Sequence, residues 1–554
     1  MKTKLTALQR TINLLKLDKK DIIQVIFYAI FGGLVSLSLP LGIQAIINLI
    51  QSGRVSISWI VLVFIVIIGV ALAGILSLMQ LRITENLQQK IFIRSSFEFG
   101  VRLPKIKPEE LHNEYPPELA NRFFDTLTVQ KGFSKLLLDI SGAALQILFG
   151  ILLLSLYHSF FIFFGIILLL LLYLIFKMNF NIGLETSLKE SKFKYKIAHW
   201  LQEIARNHLS FKSNSIFNYS LHKNDKLVNE YLKQRESHFQ VLLKQFIQLT
   251  GFKIIITAGL LIIGGLLVIN QQMNIGQFVA AEIIILSIIT AVEKLFSGLE
   301  LFYDVLTSLE KLGSVVDLEL EEDIENSNYL VDKNKMTIET ENVSFVYPKA
   351  DKEILKNISL SIQPKQHTLI LGENGSGKTT LIRLLARLIE PTSGSIFINN
   401  TNYKKYSSDE YRSKIGIITA HEMPFEGTIL ENITCNNPDI KMDMVFELVD
   451  KLKLTEVIKA LPKGLDTRIS SEGKQINSST IQKIVLARCI INQPKLLFLE
   501  NPLDKSDEQS CREILDYLTE DRHPWTIIVS SKNSYWKQIC KQTILLDKGE
   551  LKSL

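Results

Sequence analysis

Thr368-Leu369-Ile370-Leu371-Gly372-Glu373-Asn374-Gly375-Ser376-Gly377-Lys378-Thr379-Thr380 is the stretch from which the rest of the chain can be placed. Four residues of strand-forming type lead straight into G-x-x-x-x-G-K-T, running from Gly372 to Thr379, and a helix is expected to begin at Lys378. Strand, glycine-rich turn and helix in that order form a phosphate-binding loop. The glycines let backbone N–H groups wrap an anion, and the positive end of the helix points at the same charge. In such a loop Asn374, Gly375, Ser376 and Gly377 line the phosphates. Lys378 reaches the β- and γ-phosphates, and the hydroxyls of Thr379 and Thr380 lie at the helix start, with Thr379 on Mg²⁺. A loop kept only for packing is the alternative reading.

Downstream and just upstream of this loop the chain reads as a soluble α/β domain from residue 336 to 554. Strands are expected at 336–347, 358–362, 496–499 and Thr526–Ser530. The four cysteines, Cys435, Cys489, Cys511 and Cys540, are all in this part and have no metal-ligand spacing, which reads as reduced cytosolic thiols.

Further upstream the composition changes. Of the 554 residues, 47% are hydrophobic, high for a soluble protein, and most of the excess precedes residue 307. Six apolar segments are long enough to cross about 30 Å of hydrocarbon: 22–50, 57–81, 136–157, 160–176, 246–269 and 278–303. The intervening loops alternate. Those at 51–56, 158–159 and 270–274 are short and nearly uncharged. Those at 82–135 and 177–244 are long, basic and patterned for helix. The positive-inside rule places the long loops and both termini in the cytoplasm of a multi-pass protein of the cell membrane. It also accounts for the net charge of +6, which therefore does not indicate nucleic acid. Leu5, Leu8, Ile12 and Leu15 fall at helical spacing among Lys and Arg, as in an interfacial helix over 1–20. Each long loop is expected to break once, near Glu114-Tyr115-Pro116-Pro117 and near Ser213-Asn214-Ser215. Glu282, in the last span, is an intramembrane acid near its external end and a candidate for a substrate path.

Six spans with long cytoplasmic extensions, followed by a phosphate-loop domain, resemble the ABC exporter family. The resemblance extends to Phe345-Val346-Tyr347, Phe425-Glu426-Gly427-Thr428-Ile429, Leu461-Pro462-Lys463-Gly464, Leu486-Ala487-Arg488 and Pro494-Lys495-Leu496-Leu497. It implies a multi-domain chain. An all-α six-helix transmembrane domain (21–311) is followed by a linker (312–335) and an α/β P-loop NTPase domain of ABC type (336–554). It also implies ATP and Mg²⁺ as cofactors, with Tyr347 stacking on the adenine. The implied partners are the lipid bilayer and a second half-transporter chain, either different or identical. An exported substrate and a periplasmic adaptor would complete the set.

The sequence departs from the family at the catalytic positions. Ala420 stands where a glutamine is expected, and Ile476-Asn477-Ser478-Ser479-Thr480 replaces Leu-Ser-Gly-Gly-Gln. Glu500-Asn501 replaces Asp-Glu. The D-loop, Asp504-Lys505-Ser506-Asp507, keeps only its last acid, and Ser531 occupies the place of the switch histidine. An amide such as Asn501 is no base near neutral pH. Glu500 keeps its charge one methylene further out, so it remains a candidate Mg²⁺ contact. Ser478 and Ser479 put Cβ atoms where glycines would let a backbone approach a partner's ATP. These replacements imply a chain that binds ATP but hydrolyses little alone, the non-catalytic half of a heterodimeric exporter of a peptide, protein, lipid or drug. A membrane pseudo-ATPase acting as ATP sensor or scaffold is the alternative.

Overall fold

A computed structural model describes residues 5–51, 57–111, 114–321, 336–420, 422–470, 473 and 475–552. By its contacts the chain divides into two units. The first comprises 1–104 with 114–318, and the second 105–113 with 319–554. The boundary expected at 311 falls inside a helix, and nine residues of the first long loop belong to the second unit. The expected loop at 51–56, apart from Gln51, and most of the linker at 312–335 lie outside the described residues.

The first unit is helical: α1 (Ala7–Leu17), α2 (Lys19–Ser36), α3 (Ser38–Gln51) and α4 (Ile57–Arg102) come first. In the second unit lies α5 (Pro108–Leu111). Back in the first are α6 (Pro116–Asn121), α7 (Asp125–Ser155), α8 (Phe160–Arg206), α9 (Asn214–Gly259), α10 (Gly265–Ile269) and α11 (Ile275–Val316). Among the described residues six helical segments are long and apolar enough to cross a membrane. Many of their apolar side chains face outward, including Ile60, Phe64, Leu78, Phe163 and Ile269. In water such a surface would be costly, and in hydrocarbon it is the expected one.

The first span is present but broken, and two loop expectations need correction. The first span is not one helix. It breaks between Ser36 and Ser38 because Pro40 has no N–H to offer the Ser36 carbonyl and its ring crowds that oxygen. The first long loop breaks on both sides of α5, at 103–107, where Pro104 ends α4 and Pro108 opens α5, and again before α6, which Pro116 opens. The second long loop breaks at 207–213, slightly earlier than expected, with Asn214 already opening α9. The fifth span also carries a π turn at Leu260–Gly264, among Gly259, Gly264 and Gly265.

Close helix contact in this unit rests on small residues. A Cβ at Gly183 on α8 would lie 2.4 Å from the Tyr303 ring of α11. Beside it a buried polar seam joins α8, α9 and α11. Asn179 Nδ2 donates to Gln248 Oε1 at 2.7 Å, Gln245 Nε2 donates to Tyr303 Oη at 3.2 Å, and Ser187 meets Thr307 at 3.0 Å.

The second unit is built on two main sheets and a two-stranded one. Its strands are β1 (Ile338–Val346), β2 (Glu353–Ile362), β3 (Thr368–Leu371), β4 (Ser393–Ile398), β5 (Thr401–Asn402) and β6 (Ile415–Ile418). They continue with β7 (Gly427–Thr428), β8 (Arg468–Ile469), β9 (Leu496–Glu500), β10 (Thr526–Ser530), β11 (Gln542–Asp547) and β12 (Glu550–Lys552). The helices are α12 (Lys378–Leu385), α13 (Ser408–Ser413), α14 (Ile429–Thr434), α15 (Met442–Lys451), α16 (Thr455–Ala460), α17 (Ser478–Ile490), α18 (Glu508–Leu518) and α19 (Trp536–Ile539). The larger sheet runs β12-β11-β3-β10-β9-β6, with every pair parallel except β11–β12. Every residue of β9 and β10 is buried, as in a sheet covered on both faces. An antiparallel sheet, β2-β1-β4-β5, packs its Ile338, Phe345, Leu355 and Ile396 with Leu381 and Leu385 of α12. β7 and β8 form the two-stranded sheet.

Candidate functional site

The order of the parallel strands assembles the site. β3, β10, β9 and β6 are successive neighbours, so their carboxyl ends lie side by side at one edge, where open α/β sheets bind ligands. Gly372, Ser531, Asn501 and Thr419-Ala420 come directly after those four ends. Residues far apart in sequence thereby become adjacent. The link between two of the ends is direct: Asn501 N donates to the Ser530 carbonyl at 2.8 Å.

The phosphate loop has the expected form. Gly375 and Gly377 have φ of 83° and 104°, a left-handed backbone that side chains resist. Gly377 caps α12, and a Cβ there would come within 2.8 Å of Leu355 and 3.1 Å of the Ile354 carbonyl oxygen. Lys378 folds over the loop and donates to the carbonyls of Gly372 and Glu373 at 2.8 and 2.7 Å. Its pKa is lowered, first by burial and then by the Lys532 ammonium, with Glu500 opposing. An anion beside it would relieve that cost. The Ser376 hydroxyl is buried and has no hydrogen-bond partner among the described residues, so it is free to meet a phosphate oxygen. Thr380 is buried on α12 and meets the Tyr347 hydroxyl at 3.2 Å. The Tyr347 ring stands edge-on to Phe345, with centroids 4.9 Å apart.

Glu500 closes the loop from the neighbouring end of β9. One carboxylate oxygen accepts the Thr379 hydroxyl, and the other accepts Ala420 N–H at 3.3 Å. The carboxylate therefore ties α12 to the segment after β6, next to the hydroxyl that would face a divalent cation. A hard oxygen pair of this kind suits Mg²⁺. Asn501 is in a left-handed conformation with φ of 46°. The Ser531 hydroxyl accepts Asn533 N–H at 3.1 Å, so it serves its own turn. Asp504, in the D-loop, has its pKa raised, mainly by burial, although Lys505 and Lys532 oppose the shift.

The region of Ile476–Thr480 holds features that sequence reading did not reach. Asn477 caps α17, its side chain accepting Thr480 N–H at 2.7 Å. Ser479 meets Ser506 of the D-loop at 2.9 Å, and Gln482 accepts Lys505 N–H at 3.0 Å. The N-cap was legible as Asn followed by Ser-Ser-Thr; the tie to Ser506 was not, because it spans 27 residues and depends on the fold. Lys532 was also missed, although its place beside Ser531 was a signal. His421 lies outside the described residues.

Comparison with known proteins places this geometry. Residues 355–504 match the family model described as ABC transporter. An uncharacterised ABC transporter ATP-binding protein of Bacillus subtilis, YfiB, is 32% identical over 242 residues, 44% of this chain and 42% of that protein. The mitochondrial iron–sulfur clusters transporter ATM1 of Saccharomyces cerevisiae is 29% identical over 322 residues, 56% of this chain and 46% of its own length. The chain thus spans about half the length of the curated relatives it matches. A solved structure of a bacterial Atm1-family ABC exporter with ATP bound superposes with a TM-score of 0.84, covering 96% of this chain and 95% of the other. At 17% identity that likeness speaks for the fold alone. The chain thus carries an ABC transporter domain at 355–504 and, with six membrane-capable helices joined to it, has the layout of an exporter-type half-transporter.

Proposed function

We propose that this chain is an ATP-binding, hydrolysis-poor half of an exporter in the cell membrane, with both termini and the nucleotide domain cytoplasmic. It works beside a second half-transporter chain that keeps its catalytic residues. A single observation carries the reading: a complete phosphate loop, with Lys378 and the unpartnered Ser376 hydroxyl, sits beside Asn501 at the position that needs a base. Gly372, Asn374, Gly375, Ser376, Gly377 and Lys378 hold the phosphates. Thr379 and Glu500 would hold Mg²⁺, which would neutralise phosphate charge there. Tyr347 lies beside the loop as the adenine contact. Asn501 can orient a water but cannot take its proton, and losing a general base typically costs ~10²–10⁴-fold.

The seryl replacements add a second obstacle. In a pair of such chains, Ser478 and Ser479 of each would face the other's ATP, and Ser479 is already engaged by its own D-loop. Two identical copies would thus lack both a base and a signature loop, which favours a different, intact partner. The substrate class stays with the alternatives set by the family: peptide, protein, lipid or drug.

The test uses the full chain in detergent. Calorimetry should detect Mg-ATP binding, weakened at least ~10-fold in Lys378→Ala, while phosphate release stays at background. Asn501→Glu alone should not restore turnover, because the other losses act on the same step. Turnover that Lys378→Ala abolishes would overturn the reading, and so would equal ATP affinity in the two forms.

A further inference from the structure

The cytoplasmic extension of the first unit contains a cavity of about 550 Å³ whose walls are rich in lysine. It lies between α8 and α9, with α6 and α11 contributing one side chain each. Lys192, Lys196 and His199 fall at helical spacing on one face of α8. Lys223 comes from α9 and Lys311 from α11. Trp200 forms a fixed wall: it is 7% exposed, and its indole N–H donates to the Ser220 carbonyl at 3.3 Å.

The charge in this cavity is unbalanced. Two carboxylates line it, and each already has an arginine partner. Glu118 meets His199 at 3.2 Å and Arg122 at 3.7 Å, and Glu203 meets Arg206 at 2.7 Å. None of the four lysines forms an ion pair with a carboxylate among the described residues. Three rest on aromatic rings instead: Lys223 lies 3.8 Å from the Trp200 centroid, Lys196 4.6 Å from Phe193 and Lys311 5.0 Å from Tyr195. Such contacts hold an ammonium in place without neutralising it. Four cations lining one cavity repel, and an anion of high charge would remove that repulsion.

We propose that this cavity binds a small, soluble, phosphate-bearing anion at a site separate from the phosphate loop. A lipid headgroup carries the same chemistry, but the position argues against it. α8 continues unbroken from Phe160 to Arg206, and Lys196 lies about 20 residues beyond Phe176, the inner end expected for that span. At 1.5 Å per residue this is roughly 30 Å along the helix, out of reach of a headgroup.

Inorganic tripolyphosphate is the probe, titrated into the full chain in neutral-lipid nanodiscs at fixed ionic strength. The readout is the part of the tryptophan fluorescence that Trp200→Phe removes, with calorimetry in parallel. Binding should saturate, weaken at least 10-fold in Lys196→Gln/Lys223→Gln, and return in Lys196→Arg/Lys223→Arg. It should survive Lys378→Ala, which separates it from the phosphate loop. The proposal falls if the signal is absent, if sulfate at equal ionic strength reproduces it, or if it is lost in Lys378→Ala but kept in the glutamine pair. A signal that requires anionic lipid in the disc and ignores tripolyphosphate would assign the cavity to a headgroup and overturn the soluble-anion reading.

Discussion

At the scale of single residues, the site divides into groups that face a ligand and groups that have turned to serve the protein. Ser376 is of the first kind, its hydroxyl without a partner among the described residues, whereas Lys378 donates to the Gly372 and Glu373 carbonyls of its own loop. Ser531 and Ser479 are of the second, with their hydroxyls spent on Asn533 N–H and on Ser506. That Ala420, Asn501 and Ser531 would each follow the end of a strand was legible from the order of segments in the sequence. Where their side chains went was not, since those partners come from other segments.

His367 offers a residue-scale test of the same domain. It is 9% exposed, and its Nδ1 accepts Ile527 N–H at 3.1 Å, which requires an unprotonated nitrogen. Burial first, then Lys365 and Lys541, push its pKa down to about 4 from 6.5. The unfolded chain therefore binds the extra proton between those values, and stability falls as pH drops from 6.5 towards 4. The full effect is roughly 3 kcal/mol, from 1.36 kcal/mol per unit. His367→Gln keeps an acceptor for Ile527 and does not titrate. The apparent melting temperature of the wild-type chain should drop more steeply than that of His367→Gln over this interval, and parallel curves would reject the argument.

At the scale of elements, sequence pattern served best where one local rule decides. The start of α12 at Lys378, β3 at Thr368–Leu371 and β10 at Thr526–Ser530 coincide with the expected positions. α5 was missed because four residues between prolines show no period. What gives it a place is long-range pairing within the second unit. Lys107 N donates to the Glu319 carbonyl at 3.0 Å and Glu321 N to the Lys105 carbonyl at 2.9 Å, flanking the bridge between Ile106 and Leu320. These bonds make Ile106 and Leu320 a non-hydrogen-bonded antiparallel pair, whose Cα atoms lie roughly 4.5 Å apart. That spacing suits a disulfide. Ile106→Cys with Leu320→Cys, in a background without the four native cysteines, should oxidise within one chain. The closed loop should migrate faster on a denaturing gel until reduced. Failure to close under mild oxidant, or a dimer as the main product, would mean that this pairing does not form.

At the scale of the whole molecule, the remaining question is which way the helices cross the bilayer. Six spans were legible from apolar length alone, and orientation rests on charge. The turn between α10 and α11, at 270–274, carries no Lys or Arg, whereas the segment from the end of α8 to the start of α9 is bordered by Arg206, Lys212 and Lys223. Moving the second set across a membrane would cost far more than moving the first, so the proposed orientation puts the 207–213 turn in the cytoplasm and the 270–274 turn outside. Gln272 and His208 are both exposed, and neither forms an ion pair among the described residues that a cysteine would break. In cells expressing the chain without its native cysteines, a membrane-impermeant thiol reagent should label Gln272→Cys before lysis and His208→Cys only after it. His208→Cys labelled in intact cells, with Gln272→Cys protected, would invert the topology. It would also place the phosphate loop outside, where cytoplasmic ATP cannot reach it, and the proposed function would fail with it.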